Sequence, residues 1–352
     1  MTSDAAHSPR DMPFGSADPF VIAEIGVNHD GDPARAEALV DAASEAGADA
    51  VKFQWFEPRR LLSRSARLAA YQAASGEQDP IAMLERLRLD PDGLERARAR
   101  AVEHGLHTVV TVFSPELVEP ADLLDWDHYK TASPDIVNRP LLEALASTGS
   151  PLIISTGGAT LPEVRRALEW IEGVRPTLLH CVSSYPTPLD SASLGGIDAL
   201  SSEFGLTVGY SDHTVSIHAG GLAVAAGARV LEKHLTWSRD ADGPDHSASI
   251  DPDGFARYVR FARESRLMMG APGKRPLPVE CDVMTSSRQS VAILRDIPEG
   301  HVIAAGDLTT MRPGTGVPAA SLSRFIGCRA MRPLEGGTLL DPESVQSPEA
   351  MS

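Results

Sequence analysis

The sequence predicts an α/β protein: a parallel (β/α)8 TIM barrel followed by a small β-rich domain. Two observations carry this reading. From Phe20 onward eight short β-rich runs alternate with helical patterns, and near Ser287 the pattern changes to short strands broken by Gly and Pro. Eight strand–helix units in about 250 residues is the arithmetic of a closed parallel barrel, with a doubly wound open sheet as the weaker competitor.

In chain order the strands are "FVIAEIG", "DAVKFQW", "HTVVTVF", "HYKTAS", "PLIIST", "TLLHCVSS", "LTVGYSD" and "RVLEKHLT". Amphipathic segments such as "PARAEALVDAASEAG" and "LPEVRRALEWIEG" lie between most of them. The second unit is swollen by "EPRRLLSRSARLAAYQAASGEQDPIAMLERLRL", an insert placed where a βα loop of the catalytic face belongs. The barrel is expected over 18–270, after a disordered tail at 1–17. A Pro-rich stretch without periodicity, 271–286, reads as a linker, and 287–352 as the small domain. At about 60 residues that domain has a marginal core and is expected to dock on a partner surface.

Composition narrows the function. The 352 residues carry a formal charge of −16, which argues against nucleic acid or anionic lipid as the main partner. Cys181, Cys281 and Cys328 are too widely spaced for a disulfide framework or a paired-cysteine zinc site. The N-terminal stretch has no apolar h-region and no run of 18 apolar residues occurs, so a cytoplasmic location is the default.

The carboxyl ends of the strands are the place to look for chemistry. They offer Glu24, Asn28, Lys52, Gln54, Ser114, Lys130, Ser133, Ser155, Ser183, Ser211, Asp212, His213, Glu232 and His234. Two lysines among many hydroxyls suit a phosphate or carboxylate. His213 and His234 end consecutive strands, where two imidazoles converge on one divalent ion, Mn²⁺ in preference to Mg²⁺. Lys52 and Lys130 have a rival reading as a Schiff-base lysine of a metal-free aldolase. In "RVLEKHLT" the alternation puts Glu232 and His234 on one face and Lys233 on the other, against the helix layer. His29, His180 and His246 are further possible pocket residues.

With these residues laid out, the sequence resembles the sialic acid synthase (N-acetylneuraminate synthase) family. The resemblance is carried by "IAEIGVNHDGD", "DAVKFQ", "YKTAS", "IISTGGAT", "LLHCVSSYPTP", "GYSDHT", "LEKHLT", "GPDHSASIDPD" and "MRPGTG". It implies a barrel joined to an antifreeze-like SAF domain of β-clip fold, in a domain-swapped homodimer where each small domain caps its partner's barrel. The implied reaction condenses phosphoenolpyruvate with an open-chain aldose, giving a 2-keto-3-deoxy sugar acid and phosphate. The implied cofactor is a divalent metal, Mn²⁺ with Mg²⁺ or Co²⁺ as alternatives.

Residue by residue, the resemblance places phosphoenolpyruvate on Lys52, Ser114, Lys130, Ser133, Ser155, Ser183 and Ser211, and the metal on His213 and His234. Glu24, Asp135, Glu232 and Asp245 are the implied carboxylates that bind sugar or move protons, with Gln54 and Tyr185 on the sugar side. Arg312 is the arginine that the partner's small domain lends to the sugar's N-acyl group. A carboxylate kept protonated near the aldehyde would supply its proton, and the sequence leaves Glu24 and Glu232 as alternatives. Asp135, Trp55, Ser114 and Ser183 depart from residues common in the family, mostly on the sugar side. N-acetylmannosamine, an aldose for legionaminic acid, a phosphorylated mannosamine and a sugar of specialised metabolism therefore all stay open, beside a non-catalytic carbohydrate-binding reading.

Overall fold

A computed structural model describes residues 18–347; the tail expected at 1–17 lies outside them. Eight parallel strands close into a barrel: β1 (Phe20–Gly26), β2 (Ala50–Trp55), β3 (His107–Val112), β4 (His128–Thr131), β5 (Leu152–Ser155), β6 (Thr177–Cys181), β7 (Val208–Asp212) and β8 (Val230–His234). β8 returns to β1 with Phe20 opposite Val230 and Glu24 opposite His234. Helices α1 (Pro33–Glu45), α2 (Pro58–Leu61), α3 (Ala70–Ala74), α4 (Pro80–Leu87), α5 (Pro91–Glu103), α6 (Val118–Asp122), α7 (Arg139–Ser147), α8 (Leu161–Trp170), α9 (Gly195–Phe204), α10 (Ala219–Ala225) and α11 (Pro252–Met269) lie between and after the strands. The open-sheet alternative is excluded by closure.

Helix starts are written in the sequence. Asp32, Asp90 and Asp251 each precede a proline and accept a backbone N–H of the first turn, from Ala34, Gly93 and Gly254 respectively. Thr160 and Glu163 form a reciprocal capping box on α8.

Period-two alternation divides each strand between two cores. Outward residues such as Val21, Val51, Phe53, Trp55, Val110, Ile154, Leu178 and Leu231 pack with the helices. Inward, Phe20, Ile22, Ala50, Val109, Ile153, Leu179 and Val230 form a separate apolar plug inside the barrel. Gly209 completes it, because a Cβ there would lie 2.3 Å from the Val230 carbonyl oxygen and 2.6 Å from Leu179. The barrel is a filled core up to this level.

Lys233 is the outward exception, fully buried on the helix side of β8. Its Nζ is 2.9 Å from Asp212 Oδ2, donates to the Thr214 carbonyl, and stands 5.4 Å from the centre of the Tyr258 ring on α11. The contact expected with the helix layer is therefore present, and it is ionic.

The chain divides into two compact units between Gly270 and Ala271. The second pairs β9 (Ser290–Ile293) with β10 (Leu308–Met311), and β11 (Arg329–Ala330) with β12 (Val345–Gln346). Val291, Ile293, Ile297, Ile303, Leu308 and Leu334 contribute to its core. The stretch 271–286, read as a linker without periodicity, carries a 3-10 turn, Pro278–Glu280, and runs into helix α12 (Cys281–Ser287). α12 buries none of its residues, so it leaves no apolar period to read. No helix among the described residues is long and apolar enough to cross a membrane.

Replacing Lys233 by Met leaves Asp212 buried without its counter-charge, a change that costs about 3–5 kcal/mol. Urea denaturation of Lys233→Met is expected to show a midpoint well below that of the parent; an unchanged midpoint contradicts the ion pair.

Candidate active site

Above the apolar plug the inward positions turn polar. Glu24, Lys52, Gln54, Thr111, Lys130, Ser155, Ser211, Glu232 and His234 all line one cavity of about 610 Å³ at the carboxyl ends of the strands. Segments beyond the strands add Ser133, Ser183, Tyr185, His213 and Asp245. A barrel strand must change from core to site within one inward step, as Ile22 to Glu24 or Val230 to Glu232.

The charges are buried and cross-linked. Lys52 contacts the Glu24 carboxylate and donates to Thr111 Oγ1 at 3.1 Å, while Gln54 Nε2 donates to Glu24 Oε1 at 3.3 Å. Lys130 donates to Ser155 Oγ at 2.9 Å and lies 3.4 Å from Glu232 Oε1, which also accepts the Ser211 hydroxyl at 2.7 Å. Glu232 Oε2 is buried with no hydrogen-bond partner among the described residues. That orphaned acceptor needs a ligand, because an unpaired buried carboxylate oxygen costs its desolvation.

Burial pulls the Lys52 ammonium down to about 7, and Glu232 opposes it. Burial works to raise Glu232, but Lys130 and Lys52 overcome it and hold the carboxyl at about 2. Asp245 is pushed up to about 6 by burial, and Asp135 is raised by the same cause. Burial lowers His213 to about 4 and takes His234 well below its ordinary value, His213 adding to the latter. Both imidazoles are neutral near pH 7.

Neutral imidazoles are what a metal needs. The rings of His213 and His234 have centroids 5.5 Å apart. His213 Nδ1 is 2.9 Å from the Val182 carbonyl oxygen, which can only accept, so the proton sits on Nδ1 and Nε2 keeps its lone pair. The donor set fits a divalent cation with two nitrogen ligands. Among the described residues no group of three or more His, Cys, Asp and Glu is placed to hold a metal ion; Asp245 Oδ2 lies 3.6 Å from His234 Nδ1.

Three of the predicted site residues lie elsewhere. Ser114 is buried at the start of a 3-10 turn after β3, beside the cavity lining but not in it. Asp135 sits in the 3-10 segment Ser133–Val137, within reach of Asn138, and Arg312 is exposed in the second unit. The possible pocket histidines do not line the cavity. His29 Nδ1 accepts from Gly31 N–H, His180 contacts the Ala192 carbonyl, and His246 bridges Thr236 and Asp30. His29 and His246 are consumed by loop geometry, and His180 faces outward from β6, where its ring also stacks on Tyr210. Trp55 belongs to the helix-side core and does not alter the cavity. Asn28 donates to the Leu235 carbonyl and to Ser249, a loop tie, and Asp212 faces outward to Lys233. Thr111 and Tyr71 line the cavity without having been predicted. The inward alternation of "HTVVTVF" would have found Thr111.

A closed parallel barrel with two ammoniums, buried carboxylates, hydroxyls and two neutral imidazoles at its carboxyl-end mouth defines an enzyme for small polar or anionic substrates. The chain belongs to the NeuB family, whose sequence pattern matches residues 39–274, with a SAF domain at 288–346. It is an enzyme of the nonulosonic acid synthase class, transferases that condense phosphoenolpyruvate. It is 37% identical over 340 residues to the N,N'-diacetyllegionaminic acid synthase of Legionella pneumophila, covering 93% of this chain and 95% of that protein. The N-acetylneuraminate-9-phosphate synthase of Mus musculus is 31% identical over 334 residues, 93% of each chain. Among solved structures, the N-acetylneuraminic acid (sialic acid) synthetase of Leptospira borgpetersenii, in complex with citrate, superposes with a TM-score of 0.70 at 30% identity, covering 76% of this chain and 90% of that one.

Gly157 sets the serine side of the cavity. A Cβ there would come within 2.4 Å of Cys181 Sγ and Ser183 Oγ and 2.7 Å of Ser133 Oγ, which also accepts the Gly157 N–H at 3.2 Å. Gly157→Ala is expected to displace these groups at a cost of about 1–3 kcal/mol. Thermal melts check this, and a variant that melts with the parent would show that the crowding is absorbed elsewhere.

Proposed function

We propose that this protein condenses phosphoenolpyruvate with the open-chain form of an N-acylated aldose, giving a 2-keto-3-deoxy sugar acid and inorganic phosphate. The observation that carries the reading is the pair of buried lysines set among hydroxyls at the barrel mouth, Lys52 with Thr111 and Lys130 with Ser155. Two ammoniums matched to short O–H donors suit the phosphate and carboxylate of one small anion. Ser133, Ser183 and Ser211 complete that half of the site, and Ser114 supports it from behind.

In the reaction, carbon 3 of the enol attacks the aldehyde carbon, and the carbonyl oxygen takes a proton. Water adds to the cationic carbon 2 and gives up one proton, and the C–O bond to phosphate then breaks as the remaining hydroxyl proton passes to the departing phosphate, leaving the 2-keto group. Lys52 and Lys130 hold the anion through these steps. Glu232, tied to Lys130 and Ser211, receives an aldose hydroxyl on its free oxygen. Asp245, raised to about 6 by burial, is the carboxyl in the cavity suited to protonate the carbonyl oxygen, while Glu24 stays a carboxylate held by Lys52 and Gln54 on the sugar side. Gln54 and Tyr185 flank the sugar, and Asp135 acts from outside the lining. His213 and His234 would hold the divalent metal, Mn²⁺ in first place. Bound there, it would polarise the aldehyde.

The identity to diacetyllegionaminic acid synthases, 37% and 35% in two bacteria, favours a diacetamido aldose over N-acetylmannosamine or its phosphate. A homodimer in which Arg312 of each small domain reaches its partner's sugar site goes with this reading, as does a cytoplasmic location, where phosphoenolpyruvate is made.

Phosphate release measured with phosphoenolpyruvate and a panel of N-acylated aldoses tests the reaction. Release is expected with Mn²⁺ and is expected to stop with chelator. His213→Ala and His234→Ala are expected to fold and to lose bound Mn²⁺ by elemental analysis. Chelator-resistant turnover with borohydride trapping on a lysine would establish the Schiff-base aldolase instead, and silence across the panel would favour a carbohydrate binder.

A further inference from the structure

The insert after β2 has a base and a tip of different character. At its base Phe56, Met83 and Leu87 are buried with Val27, and Leu61, Leu68, Leu84 and Phe113 pack against them. This small core anchors the ends of the insert to the barrel. The tip is α3, Ala70–Ala74, which buries none of its residues. Gln72 accepts the Ala69 N–H at 2.9 Å and Ser75 donates to the Gln72 carbonyl at 2.8 Å, so both close the helix on itself. Apolar burial does not hold the tip down. Segments with few buried contacts open locally at low free-energy cost.

What the tip does present is one aromatic ring. Tyr71 lines the cavity with Ala69 and Ala70 and lies on Tyr185, ring centroids 4.9 Å apart with the planes inclined 31°. Tyr185 in turn lies 4.2 Å from the His213 ring. A ladder of three rings therefore runs from the tip of the insert to one of the two imidazoles. In the reaction above, Tyr185 borders the sugar, so Tyr71 stands at the outer end of the sugar's space. An aromatic face with an alanine-lined surround suits the C–H face and acyl methyl of an N-acylated sugar, and supplies no positive charge for a phosphate.

We propose that residues 69–75 form a lid over the aldose half of the cavity, with Tyr71 as its sugar-contacting residue and Tyr185 as its seat. This rests on the condensation reading. The Tyr71 ring pins the lid and covers the acceptor, and the acceptor's affinity depends on it, whereas phosphoenolpyruvate is held deeper, by Lys52 and Lys130.

Two measurements on Tyr71→Ala and Tyr71→Phe test this with the full chain. In steady-state kinetics, Tyr71→Ala is expected to raise the KM for the aldose by about tenfold or more while leaving the KM for phosphoenolpyruvate within about twofold. Tyr71→Phe, which keeps the ring, is expected to recover most of that loss. Equal rises in both constants, or no rise in either, overturn the assignment. The second measurement needs no substrate. Arg64 and Arg67 are exposed at the foot of the tip, and tryptic cleavage there is expected to be several-fold faster in Tyr71→Ala than in the parent. Equal cleavage rates mean that Tyr71 does not pin the lid. If the parent condenses no aldose, the reaction reading falls, and the cleavage rates alone decide whether the lid exists.

Discussion

The structure depends on charge held out of water at the end of a filled barrel. Lys52, Lys130, Glu24 and Glu232 are all buried, and an isolated ion in that position would cost several kcal/mol. Each ammonium meets a carboxylate and a hydroxyl: Lys52 has Glu24 and Thr111, Lys130 has Glu232 and Ser155. The apolar plug one inward step below keeps this layer dry from beneath, so interactions among its groups are strong. The mouth is therefore preorganised: its donors are placed before any substrate arrives, and little reorganisation remains for the reaction.

The same strand carries charge on both faces without mixing the two uses. On β8, Glu232 and His234 point into the cavity, and Lys233 points to the helix layer, where it closes an ion pair with Asp212 of β7. Adjacent residues are thus separated by the sheet itself. The inner pair serves the substrate and the outer pair fastens neighbouring strands at the level of the site. Both histidines that would receive a metal follow directly from these strands, so the fastening also fixes their spacing.

What was legible in the sequence follows from these periods. The eight strands and the division of "LEKHLT" between two faces both read from local pattern. Glu24, Lys52, Gln54, Lys130, Ser155, Ser211, Glu232 and His234 line the cavity as inward strand ends that alternation counts, whereas Ser133, Ser183, Tyr185, His213 and Asp245 reach it from segments beyond the strands, and Tyr185 and Asp245 came only from the resemblance. The misses have physical causes. His29, His180 and His246 look like pocket residues in sequence, but loops turn His29 and His246 into their own hydrogen bonds and His180 sits on the outward face of β6. Trp55 follows Gln54 and so must face the other way. Tyr71 is brought to the mouth by an insert whose path no local period encodes, and α12 hides because it buries none of its residues.

The central claim is that Lys52 and Lys130 carry the anion. Calorimetric titration of phosphoenolpyruvate into Lys52→Met and Lys130→Met measures this without turnover. Each variant is expected to fold and to bind at least about tenfold more weakly than the parent, because the ligand loses a buried counter-charge. Parent-like affinity in either variant would contradict the account.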